Sequence, residues 1–264
     1  MGQPDWAQMA ARFDVFLPAI APVGEALLEA LDARPGHRVL DVASGTGEPA
    51  LTLARRLRGQ VDILGTDAAP PMVDVANAKV RDEGLSRIAF RAMPAEKLDL
   101  ESDAFDRVLC RFGVMLFENP QQGLGEMCRV LKPGGRVALA VWGEHMPSLR
   151  WAYDALKERL PEDLHPPYHK IIAMGDAQTL QTCMARAGFR DVAVAVRRFH
   201  YSFPSLDAFW DATEASGILQ QQMDALSPAD RATVQAEIRQ MAVVFDGERG
   251  FHVPHDFLLA VATK

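Results

Sequence analysis

Short, wholly apolar runs alternate with amphipathic stretches from about residue 38 to residue 200. Runs of the first kind suit strands buried on both faces, and apolar residues recurring at i, i+4 and i+8 suit helices laid on a sheet. The pattern places a first strand at residues 38–43, its helix at roughly 49–58, and a second strand at 61–66. Pro70 and Pro71 open the next helix, in which Met72, Ala76 and Val80 share one face. Strands three and four fall at 88–93 and 105–110. Leu124, Met127, Cys128 and Leu131 mark a helix stopped by Lys132-Pro133-Gly134-Gly135, and residues 137–142 are apolar throughout, as in a central strand. A helix over 177–187 closed by Gly188, a sixth strand at 192–200 and a seventh at 257–263 complete the series. The alternation predicts an α/β fold with a doubly wound, seven-stranded, mostly parallel sheet in a single domain over residues 1–264.

Three segments break the alternation. Residues 1–20 are helical in part. Residues 144–175 hold a helix near 149–160 and then a loop with Pro161, Pro166 and Pro167. Residues 203–256 add helical patterns with Phe209, Trp210 and Phe245. Long insertions in an α/β sheet serve as caps over the strands' carboxyl ends or as extra packing on its flank. The cap is the expectation for all three.

Composition narrows the function classes. A chain of 264 residues, 48% of them hydrophobic, can fill one large core. Its 28 basic and 35 acidic residues leave a net charge of -7, so there is no footprint for a nucleic acid. Cys110, Cys128 and Cys183 are scattered without a metal-type spacing, so no metal is expected and a reduced, cytoplasmic setting fits. No segment is long and apolar enough to span a bilayer. Met1-Gly2-Gln3-Pro4-Asp5-Trp6 lacks the basic and apolar regions of a signal peptide, and Trp6 stands where a myristoylation signal has Ser or Thr.

The chemistry concentrates at the end of the first strand. In Asp41-Val42-Ala43-Ser44-Gly45-Thr46-Gly47-Glu48-Pro49-Ala50, two glycines supply a tight turn into a helix start. The stretch satisfies the loose G-x-G-x-x-A pattern, and Asp67 ends strand two, where an acid grips ribose hydroxyls. That much keeps an NAD(P)-dependent oxidoreductase open. However, Glu48 stands at the helix start, where a pyrophosphate has to sit, and Asp41 adds a second acid. A loop between two acids suits a ligand with an ammonium or sulfonium group, and S-adenosylmethionine has both; a turn contact and a helix cap are the plainer reading of the same acids.

Further residues fall into line along the chain: Gly65-Thr66-Asp67 followed by Met72, Pro94-Ala95-Glu96-Lys97-Leu98, Phe105-Asp106, Arg111-Phe112-Gly113, and Arg129 to Gly135. Together, over about residues 36–142, they resemble the class I S-adenosylmethionine-dependent methyltransferases, in particular the branch around the ubiquinone/menaquinone biosynthesis C-methyltransferases. The resemblance implies a Rossmann-like sheet with an antiparallel C-terminal strand. It implies cofactor contacts at Asp41, Ala43, Gly45 and Gly47 for the methionine moiety, with Arg111 and Phe112 near the same end. Asp67 and Ala68 would meet the ribose, Met72 would cover the adenine or ribose face, and Ala95 with Glu96 would meet the adenine edge. Pro94 departs from the Asp or Asn of many relatives, and the Trp-Gly-Glu-His-Met-Pro stretch after Val141 departs from the quinone-methylating branch.

The acceptor is less legible. His145, at the end of strand five, is a candidate general base by its ordinary pKa. Aromatic residues of the cap segments (Trp151, Tyr153, Phe209, Trp210, Phe245) suggest a small, partly apolar or aromatic molecule methylated by in-line displacement. A cofactor-binding protein without methyl transfer is the third reading.

Overall fold

The computed structural model describes residues 9–264. The Met1–Trp6 stretch and the start of the 1–20 segment lie outside the described residues.

Five parallel strands carry the N-terminal half: β1 (Arg38–Val42), β2 (Asp62–Asp67), β3 (Ile88–Ala92), β4 (Phe105–Arg111) and β5 (Leu131–Trp142). With β6 (Arg190–Phe203), β7 (Asp246–Gly247) and β8 (Gly250–Thr263) the sheet runs β3-β2-β1-β4-β5-β8-β6, and β7 pairs with β8 beside this path. β8 is antiparallel to both β5 and β6, so the expected antiparallel C-terminal strand is present. The order reverses between β1 and β4, and that switch point opens a crevice beyond the strands' carboxyl ends.

The helices are α1 (Leu17–Leu31), α2 (Ala50–Leu57), α3 (Pro70–Asp82), α4 (Pro120–Val130), α5 (Pro147–Leu156), α6 (Tyr168–Ile172), α7 (Ala177–Arg186), α8 (Leu206–Ser216), α9 (Gln220–Asp224) and α10 (Pro228–Ala242). Their starts follow local chemistry. Asn119, Asp176, Ser205 and Ser227 each accept a backbone N–H from the first turn of α4, α7, α8 and α10.

Two cores result. Leu40, Val108, Leu109 and Leu139 are fully buried in the sheet's own core. Trp151, Leu156, Trp210, Val234, Ile238 and Phe251 form a second one among the C-terminal helices. Trp151 and Trp210, read from the sequence as pocket aromatics, are therefore packing residues. Among the described residues, no helix is long and apolar enough to cross a membrane.

The structure extends the sequence reading in three places. Helix α1 runs on from residue 20 to Leu31 despite Pro22, because Pro18 stands in its first turn and Pro22 removes one early backbone bond. β5 begins at Leu131, with the Lys132–Gly135 turn as an irregularity inside the strand, where Gly134 takes φ +75°. β6 and β8 are longer than the apolar runs that betray them, pairing from Arg190↔Thr263 out to Phe203↔Phe251. Pro254 and the two histidines His252 and His255 hide the outer half of β8 in the sequence. The outer half of this ribbon brings Tyr201 and His255 to the crevice.

Candidate cofactor and acceptor site

A cavity of about 1020 Å³ lies beyond the carboxyl ends of β1, β2, β4 and β5. That is at the upper end for one small-molecule site, leaving room for a nucleoside cofactor and a small acceptor together. Its floor is Ala43, Ser44, Gly45, Asp67, Ala68, Arg111 and Phe112. Its roof draws on all three irregular segments, including Phe13 and Phe16, then Ser148, Leu149 and Ile171, then Phe209, Gln222 and His255. Asp14 ties the first of these segments down, accepting from Thr46 Oγ1 at 2.6 Å and pairing with Lys79 Nζ at 2.6 Å.

The floor turns sharply after β1. Ala43 adopts φ +57° and Gly45 φ +54°, with Ser44 N donating to Thr66 O at 2.9 Å. Gly47, at φ +107°, stands behind this wall, where a Cβ would lie 2.7 Å from Leu51 Cδ1, so it shapes the turn without lining the cavity. The turn aims backbone amides at Asp67. Its Oδ2 accepts from Gly45 N at 2.8 Å and its Oδ1 from Ala69 N at 2.9 Å. Burial pushes this carboxyl's pKa up while the two N–H groups pull it down. Each oxygen keeps further acceptor capacity, as gripping a ribose diol requires.

Met72 lines the cavity and packs against Met9 and Ala10. Pro94, Ala95 and Glu96 line it after β3. The Glu96 carboxylate accepts from Glu118 N at 2.8 Å, so it secures the loop after β4 as well as lining the cavity.

Glu48 corrects the sequence argument. Its Oε2 accepts from Thr52 N at 3.1 Å and Thr52 Oγ1 at 2.7 Å, and its Oε1 meets Arg55 Nη1 at 2.7 Å. It is a helix cap with its charge already matched. It disfavours a pyrophosphate by occupying a helix-start amide rather than by repulsion. Asp41 is the acid left over. It is 1% exposed and lies beneath the wall, and among the described residues neither of its oxygens makes a hydrogen bond. Burial pushes it up to about 8, and the charges of Asp67 and Glu48 act the same way. Arg111 and, more weakly, the Ala50 amide oppose them. Arg111 is half-buried and lines the cavity, with Nη2 donating to Glu48 O at 2.9 Å. Ser44 Oγ and Thr66 Oγ1 share the lack of a partner. Of these three, Ser44 lines the cavity, while Asp41 and Thr66 stand behind its wall. The floor thus offers a ligand the Asp67 carboxylate, the Ser44 hydroxyl and the Arg111 guanidinium.

The raised Asp41 pKa carries a prediction. An acid whose folded pKa exceeds its unfolded value of about 4 is protonated in the fold, so stability is held below pH 4 and lost as pH rises toward 8. His255, lowered by burial to about 4, acts oppositely, adding stability from pH 4 up to 6.5 and none beyond. Between pH 6.5 and 8, wild type should therefore lose about 1–2 kcal/mol more than Asp41→Asn, read from urea unfolding. Parallel pH curves for the two proteins would refute the Asp41 assignment.

The structure does not bring His145 to the cavity. Its side chain is exposed, and its carbonyl accepts from Asp256 N at 2.9 Å. Among the cap aromatics singled out from the sequence, Phe209 alone lines the cavity; the others there are Phe13, Phe16, Phe112, Phe117, Trp142 and Tyr201. Phe112 and Trp142 stack at 3.8 Å between centroids, 6° from parallel. His255 also lines the cavity, with Nε2 2.7 Å from Ser148 Oγ. Nothing in its local sequence marks it, because its position depends on the unforeseen length of β8.

A parallel sheet with this strand order and a cavity at its switch point, floored by the β1 turn and Asp67, mark a Rossmann-like fold. The model of the ubiE/COQ5 methyltransferase family matches residues 25–199, and the chain belongs to that family. Its cofactor is S-adenosylmethionine. The demethylmenaquinone methyltransferase of Deinococcus radiodurans is 42% identical over 144 residues, covering 52% of this chain and 58% of that protein. The chain spans about half the length of the curated relatives it matches. Among solved structures, phosphoethanolamine N-methyltransferase 2 of Haemonchus contortus in complex with S-adenosyl-L-methionine aligns with a TM-score of 0.61 at 17% identity, over 97% of this chain and 57% of that one. The cyclase SpnF aligns with a TM-score of 0.61 at 22% identity, over 92% and 80%. At such identities the two structures share the fold alone.

Proposed function

We propose that the chain transfers a methyl group from S-adenosylmethionine to a small, partly apolar, aromatic acceptor. The observation that carries this reading is that one continuous cavity joins the Asp67–Gly45 floor to a roof rich in aromatic rings. S-adenosylmethionine supplies an electrophilic methyl group on sulfur. The protein's part is then to hold donor and acceptor in line and to exclude water. Asp67 and the Gly45 turn fix the nucleoside end, and Arg111 with Ser44 fixes the amino-acid end. Phe16, Phe112, Trp142 and Tyr201 offer faces to a planar acceptor.

The relatives named for demethylmenaquinone make a quinone-related ring a natural trial substrate. The family match ends at residue 199, however, and much of the roof is built by residues beyond it. The acceptor is thus set by this chain's own cap. The net charge of -7 speaks against a nucleic acid, and three free cysteines fit a reducing cytoplasm.

Incubating the protein with methyl-labelled cofactor and a metabolite extract tests the reading. Label is expected in a small apolar product, and none with Asp67→Ala. Tight cofactor binding with no transfer into any fraction would favour a cofactor-binding protein that does other chemistry on this fold.

A further inference from the structure

His255 is 1% exposed on β8 and has no part in holding the cofactor. Its Nδ1 lies 3.2 Å from Val253 O, and its Nε2 lies 2.7 Å from Ser148 Oγ on α5. A carbonyl can only accept, so Nδ1 carries the hydrogen. Nε2 then bears the lone pair and accepts from the Ser148 hydroxyl. Both residues line the cavity. Trp142 connects them to the reaction centre, with its ring 5.9 Å from that of His255 and stacked at 3.8 Å on Phe112, which borders the cofactor floor. Tyr201, on β6, brings its ring within 5.3 Å.

We propose that His255, aligned by the Val253 carbonyl, is the general base for an acceptor carrying an ionisable aromatic hydroxyl, which lies against the Trp142–Phe112 pair and displaces Ser148 as the donor to Nε2. The assignment rests on the methyl-transfer reading and gives it a substrate class. In the step, the acceptor's O–H bond breaks and its proton passes to Nε2. An oxygen lone pair forms the bond to the methyl carbon. The methyl–sulfur bond of the donor breaks with its electron pair kept by sulfur, which leaves as a neutral thioether. The imidazolium then returns its proton to solvent.

The ring rests neutral with its lone pair free. Burial lowers the pKa of His255 to about 4, and His145 acts the same way, which makes the ring a weaker base than a free imidazole and favours the more acidic hydroxyls. Asp256 pulls in the other direction, but it is paired with Arg198 at 2.7 Å. Tyr201, whose phenol burial raises, faces the ring as a neutral group.

The test uses 2-naphthol, catechol and 4-nitrophenol as hydroxyl probes and 2-naphthylamine as the control, with product identified by mass. Wild type is expected to methylate hydroxyl probes. His255→Gln is expected to lower kcat on 2-naphthol about 10²–10⁴-fold at pH 7 while binding S-adenosylhomocysteine as wild type does. Its remaining rate should climb about tenfold per pH unit toward the probe's own pKa, where hydroxide replaces the missing base. The loss should shrink on 4-nitrophenol, the most acidic probe. Independently of how the variant folds, wild-type single turnovers with 2-naphthol should show a normal solvent deuterium isotope effect. A variant with wild-type rate and pH profile, an isotope effect of unity, or transfer to the amine alone would overturn the base while leaving the methyltransferase standing. No transfer by wild type to any probe, despite cofactor binding, would overturn both.

Discussion

Asp67→Ala should reduce cofactor affinity by at least about 100-fold. In the proposed seat the carboxylate's free acceptor capacity meets the ribose, and each charge-assisted hydrogen bond is worth roughly 1.5–3 kcal/mol. Two such bonds amount to about 3–6 kcal/mol, or two to four decades in affinity. A further loss comes from the protein side, because Gly45 N and Ala69 N, at 2.8 and 2.9 Å from the carboxylate, lose their acceptor. The Gly45 turn then keeps its tie to β2 through Ser44 N and Thr66 O but loses the one through Asp67. Calorimetric titration with S-adenosylhomocysteine reads the effect, and affinity within threefold of wild type would show that Asp67 is not the ribose ligand.

Arg111→Met should destabilise the protein by about 1–3 kcal/mol in urea unfolding at pH 8, because a part-buried acceptor loses its donor. The half-buried guanidinium is the main influence opposing the burial of Asp41, while Nη2 donates to the Glu48 carbonyl at 2.9 Å. Without it, Asp41 is left with influences that nearly all raise its pKa, so it takes up a proton and the cost of the variant shrinks toward pH 5. Pairing the change with Asp41→Asn should remove the part of the loss that grows as pH rises past 8, giving a coupling energy that separate sites would not show. Strict additivity of the two changes would mean that Asp41 and Arg111 do not act as a pair.

What the sequence showed and what it hid follow from how local each signal is. The five parallel strands are short apolar runs, and the β1 turn is written in Gly45 and Gly47, so the cofactor side could be read residue by residue. Asp67, Met72, Ala95 and Arg111 reach the cavity wall as the family pattern implies. Glu48 misled because its partners are Thr52 and Arg55, and an acid at a helix start reads the same whether it is capped or free. Asp41 and Gly47 act from behind the wall, a distinction that spacing does not carry. The acceptor side was the least legible. His145 and His255 are equally plain in the sequence. The choice between them depends on the pairing of β8 with β6 as far as Phe203↔Phe251. That pairing involves residues far apart in the chain and runs through Pro254, which argues locally against a strand. Trp151 and Trp210 sit at helical spacing, where the periodicity of a core and of a pocket lining coincide.

The central claim is that the β1 turn and Asp67 form a seat for S-adenosylmethionine and a poor one for a dinucleotide. Urea unfolding with and without ligand tests it most directly. At 100 times its dissociation constant, S-adenosylmethionine or S-adenosylhomocysteine should add about 2.7 kcal/mol to stability. NAD and NADH at the same concentration should add nothing, and the gain should vanish in Asp67→Ala. Stabilisation by NAD or NADH, with none from either adenosyl compound, would contradict the account.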